Sequence, residues 1–84
     1  MLKENQVVKL RNGMYGVVVS FNGKPSHIVF KAYCNPITRY DKNLLNKNHD
    51  YDIMEIYDGS DIEQISSVFN KTYENNNLRW KRNG

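Results

Sequence analysis

One cysteine, two prolines and no long apolar run mark this 84-residue chain, and each shortage excludes something. Cys34 alone cannot close an intrachain disulfide, whereas small secreted domains usually depend on several. Pro25 and Pro36, with five glycines, are too few for collagen, a Pro-rich linker or low-complexity sequence. Uninterrupted apolar stretches such as Val17-Val18-Val19 are far short of the ~18–20 residues that a bilayer span needs. The opening residues MLKENQVVKL lack the apolar core of a signal peptide. The expectation is a cytoplasmic protein of a bacterial host cell, with no membrane association.

What is present fits one small domain over 1–84. The chain is 39% hydrophobic, 25% charged and 12% aromatic, which is too rich in core-forming residues for a disordered segment. Twelve Asn, eight Lys, six Ile and six Tyr all have AT-rich codons, which suggests an AT-rich genome such as that of a low-GC bacterium or its phage. Charge is segregated along the chain. Residues 1–39 carry +5, residues 40–74 carry −5 and residues 75–84 carry +3. Such blocks either build a basic binding face or lie side by side and neutralise each other. Small barrels bring chain ends and middle together, so neutralisation is the favoured outcome.

Alternation of apolar and polar residues predicts strands over Gln6–Arg11, Met14–Phe21 and Ser26–Tyr33. Asn12-Gly13 and Asn22-Gly23 stand between them, and both residue types tolerate the positive φ of a type I′ turn. Cys34-Asn35-Pro36 is expected to break the third strand. A polar loop excursion over about 34–50 follows, with one helical turn near Lys42–Asn46 that tucks in Leu44 and Leu45. Tyr51–Tyr57 is β-rich. Ser60 and Glu63 have capping-box spacing, and Ile62, Ile65, Phe69 and Tyr73 form an apolar stripe, so a helix is expected near 61–74. Leu78–Arg82 alternates apolar and basic residues, as a closing strand would. The fold class is therefore mainly β: about five strands and one α-helix before the last, arranged as an SH3-like barrel. The expected core is Val8, Leu10, Val17, Val19, Ile28, Phe30, Ile53, Ile65, Phe69 and Trp80.

The early Asn-Gly hairpin, Tyr40-Asp41-Lys42-Asn43-Leu44, Asp52–Tyr57 and Trp80-Lys81-Arg82 together resemble small, uncharacterised SH3-like β-barrel proteins of Gram-positive phages and prophages. The resemblance implies a phage or prophage origin and carries no activity or catalytic residue with it.

Residue by residue, catalysis finds little support, and the chain is read as no enzyme. His27, Cys34 and His49 are the only soft ligands and lack the close pairing of zinc sites, so no metal or cofactor is expected. Cys34 is better explained as a buried or half-buried small hydrophobe. Asp50, Asp52, Asp58 and Asp61 do not follow the calcium-loop pattern and read as turn formers and helix-capping residues. No glycine loop precedes a helix to cradle phosphate. Two binding readings remain. A protein partner, or a small ligand, is favoured, with Tyr40, Tyr51 and Tyr57 as amphipathic contact residues. The alternative is nucleic acid, with Lys9, Arg11, Lys24, Lys31, Arg39, Arg79, Lys81 and Arg82 on phosphates and Tyr15, Tyr33 or Trp80 stacking on bases. The test between them is geometric: whether the two basic blocks share a face, or an acidic strand lies between them.

Overall fold

A computed structural model describes residues 2–59 and 78–83. Its strands are β1 (Val7–Leu10), β2 (Tyr15–Phe21), β3 (Lys24–Val29), β4 (Cys34–Pro36), β5 (Ile53–Tyr57) and β6 (Leu78–Lys81). All neighbours are antiparallel, in one six-stranded open sheet of order β4-β3-β2-β1-β5-β6. Alternation predicted five strands, and the difference arises at β4. Phe30 N–H donates to Tyr33 O, which reverses the chain tightly and lays Cys34–Pro36 back along β3. Pro36 does not break this pairing because β4 is an edge strand, where a residue without an N–H is tolerated. The helix expected near 61–74, with its cap at Ser60 and its core residues Ile65 and Phe69, lies outside the described residues.

The two Asn-Gly pairs make different turns. Asn22 and Gly23 both have positive φ (53° and 78°), the requirement of a two-residue type I′ hairpin between Phe21 and Lys24. At the first hairpin only Gly13 does (89°), so the turn is a three-residue one closed by Leu10 N–H on Met14 O. The side chain of Asn12 holds it by accepting from Met14 N–H at 2.9 Å.

Paired residues project to the same side of a sheet, so the registers define two faces. One carries Val8, Leu10, Val18, Ile28, Ile53 and Ile56, all buried, with Gly16 beside them. A Cβ on Gly16 would stand 2.7 Å from both Ile28 Cγ2 and Phe30 Cε1, so glycine here lets Phe30 settle onto the sheet. The connection from β4 to β5 roofs this face with Tyr40 and Leu44, joined by Leu2 and flanked by Ile37, Tyr51 and Trp80. Leu44 sits in the core, as expected, but at φ 64° in a tight turn rather than in a helical one. The 3₁₀ turns fall instead at Ile37–Arg39 and His49–Tyr51. The opposite face centres on Val7 and Val17, packed by Tyr15 and Tyr57. Both sides of the sheet are thus buried near β1 and β2. That explains why Val7 and Val18, placed on opposite faces by alternation, are equally inaccessible. Val19 and Trp80, expected in the core, are only half-buried. Cys34, expected buried or half-buried, is exposed.

Candidate functional site

The most elaborately built surface joins the β1–β2 hairpin, the β3–β4 turn and the 3₁₀ turn before β5. Its foundation is Asp52, whose side chain is 1% exposed. Oδ1 accepts from Asn46 N–H at 2.8 Å, while Oδ2 lies 3.0 Å from His49 Nδ1 and accepts from Arg11 Nη2 at 3.3 Å. Burial pushes the carboxyl's pKa up, but the Asn46 amide, His49 and Arg11 outweigh it and hold the group below the ordinary carboxylate range. Arg11 also donates through Nε to His49 O, and backbone bonds from Arg11 N–H to Asp52 O and Asn12 N–H to Asp50 O tie hairpin to loop.

On this support stand the aromatics. Tyr33, 38% exposed, stacks on Phe30 with centroids 5.0 Å apart and meets Tyr51 edge-on at 6.5 Å. Its hydroxyl donates to Met14 Sδ at 3.6 Å. Burial and the neighbouring Tyr51 hydroxyl raise its pKa, so it remains a neutral phenol at physiological pH. Beneath it Tyr40 is buried, donates to Tyr51 O at 2.9 Å and is pushed up to about 12, chiefly by burial. The three tyrosines named for partner contact therefore separate. Tyr51 lines the patch, Tyr40 is core, and Tyr57 packs against Val7 and Val17 on the other face. Tyr33, read from sequence as a base-stacking candidate, is the ring that Tyr51 accompanies. Residues 14, 33 and 51 are far apart in the chain and meet only in the fold.

The basic residues that flank β5 are interleaved with acids. β5 lies between β1 and β6, and its acids, with those flanking it, take bases from both sides. Lys9 pairs with Glu55 at 3.7 Å, and Lys81 is Glu55's register partner on the far side. Arg11 pairs with Asp52. Arg79 bonds Asp58 at 2.6 Å, which lowers the carboxyl's pKa and raises the guanidinium's; Asp58 also accepts from Gln6 Nε2. Arg82 is bound to Ile53 O and to Asn43 O, with its guanidinium 5.0 Å from the Trp80 ring centroid. Lys9 lies 5.6 Å above the Tyr15 ring, so that aromatic is covered as well. Lys24, which opens β3, and Lys31, two residues beyond its end, are exposed, and Arg39 ends the first 3₁₀ turn.

Among the described residues no group of three His, Cys, Asp or Glu side chains is placed to hold a metal ion, and no helix there is long and apolar enough to cross a membrane. No protein-family model, curated protein or solved structure matches the chain.

Proposed function

We propose that this protein is a non-catalytic binding module that docks a protein partner on the patch of Tyr33, Tyr51 and Met14. The observation that carries this reading is the half-exposed Tyr33 ring, fixed by Phe30, Tyr51 and the Met14 sulfur over a hydrogen-bonded foundation. A rigid aromatic with a polar tip offers a large contact area at low entropic cost, which is why such residues are enriched at interfaces. The interleaving of acids among the basic residues favours a protein partner over nucleic acid, because an alternating field attracts phosphates weakly. The phage or prophage origin and the SH3-like barrel belong to the same proposal. Register shifts at Lys9/Leu10, Val19/Ser20 and Ile56/Tyr57 support the barrel, since such irregularities bend strands and coil a sheet.

The test has two arms. Capture from a low-GC bacterial lysate by the wild-type protein should be lost with Tyr33→Ala at a temperature where both proteins are fully folded, as expected when a hot spot of ~2 kcal/mol or more is truncated. Oligonucleotides, single-stranded and duplex, are titrated at ~50 and ~200 mM salt. Submicromolar binding that falls ~10²-fold over that range, weakened by Lys24→Ala, Lys31→Ala and Lys81→Ala together, would install the nucleic-acid reading instead.

A further inference from the structure

Tyr40 and Asn46 form an isolated antiparallel bridge within the β4–β5 connection, extended by Asp41 N–H donating to Leu45 O at 3.0 Å. Arg39, the last residue of the first 3₁₀ turn, precedes this bridge on one side, and Lys47 follows it on the other. Tyr40 points into the core, so its neighbour Arg39 projects outward, and Lys47 does the same beside Asn46. Both line one open cleft of about 350 Å³ together with Thr38 and Asn46. Like charges that line one cleft repel. Elsewhere on the sheet the chain supplies an acid for this situation, as Glu55 does beside Lys9. Among the described residues no ion pair includes Arg39 or Lys47. Asp41, which lines the adjoining cleft, forms no described ion pair with either and accepts through Oδ1 from Asn43 N–H at 2.8 Å and Leu45 N–H at 3.1 Å.

We infer that this cleft is an anion site for the phosphate group of a small phosphorylated ligand. Two cations in one cleft suit a doubly charged group, the Arg39 guanidinium offers its planar fork to two oxygens, and Lys47 adds a point charge. The Thr38 hydroxyl supplies a further neutral donor. Asn46 is a fixed wall, because its N–H is bound to Asp52 and its side-chain carbonyl accepts from Asn48 N–H at 3.0 Å. At about 350 Å³ the cleft has room for a mononucleotide-sized molecule. The site is separate from the tyrosine patch and does not depend on that reading.

The decisive probe is inorganic pyrophosphate, titrated at constant ionic strength against the labelled full chain while amide NMR shifts are followed. Shifts should concentrate at Thr38, Arg39, Asn46 and Lys47. At ten times its Kd, pyrophosphate should raise the folding equilibrium constant about 11-fold. Lys47→Glu should abolish the shifts and, by giving Arg39 an acid in the same cleft, raise Tm without any ligand. A 5′-mononucleotide run in parallel distinguishes the sources: tighter binding than pyrophosphate assigns a nucleotide, and equal or weaker binding assigns free phosphate species. Shifts spread equally over Lys24, Lys31 and Lys42, or unchanged in Lys47→Glu, would overturn the site, as would none at millimolar pyrophosphate.

Discussion

At the scale of single residues, Asp52 is the group on which most depends. It is buried yet charged, and its partners come from positions 11, 46 and 49. Asp52→Ala should cost about 3 kcal/mol in chemical denaturation, because it strips the Asn46 amide and Arg11 of their acceptor. The pH dependence follows from the depressed pKa. A carboxyl with a lower pKa folded than unfolded binds more protons in the unfolded chain, so its contribution is complete above the unfolded value of about 3.9. It is lost as pH falls further, through the folded pKa. Asp52→Asn should therefore be less stable than wild type at neutral pH, with the gap narrowing as both are acidified below pH ~4. A constant gap in denaturant midpoints across that range would remove Asp52 from this role. The sequence marked Asp52 only as one of several turn-forming acids. Its burial was not legible, because it is created by contacts with residues as far away as Arg11.

Among the elements, the strands with strict alternation were legible and so were both hairpins. Asn22-Gly23 took the turn its residue types favour. Asn12-Gly13 took another, since a side-chain bond from Asn12 to the Met14 amide stabilises a conformation in which only glycine is left-handed. β4 was not legible, for a sound local reason: Cys34-Asn35-Pro36 is a strand only because β3 is there to pair with it. The candidate patch was half legible. Its tyrosines could be counted, but burial assigned Tyr40 and Tyr57 elsewhere. Arg82 also shows how an element acts beyond its own strand. Just past β6, its guanidinium fastens the 41–46 turn to β5 by bonding Asn43 O and Ile53 O. Arg82→Ala should destabilise the fold by about 1–2 kcal/mol and speed amide exchange selectively at Leu44 and Leu45. Arg82→Lys should not restore protection, because an ammonium cannot span both carbonyls and stack on Trp80. Full rescue by lysine would mean that charge alone matters.

For the molecule as a whole, segregated charge in the sequence becomes alternating charge in the sheet. The basic β1 and β6 flank β5, and Glu55 stands in register between Lys9 and Lys81. Removing that acid should expose a latent property. Glu55→Gln should leave the fold intact and increase oligonucleotide binding at low salt, with a salt slope about one unit steeper for each further phosphate that the released lysines neutralise. No change in binding would mean that the lysines were never restrained by Glu55.

The same placement of β5 has a kinetic side. β1, β2, β3 and β4 follow one another through short turns, so each pairing closes a small loop and can zip up soon after its predecessor. The seam between β1 and β5 is different: matching Leu10 to Ile53 closes a loop of roughly forty residues, and that entropy must be lost before any contact along the seam compensates for it. The Arg11–Asp52 and Lys9–Glu55 pairs both straddle this seam. Those charges therefore sit where the chain must wait longest for its two halves to meet, and their attraction acts on the slow, long-range step rather than on the hairpins that precede it.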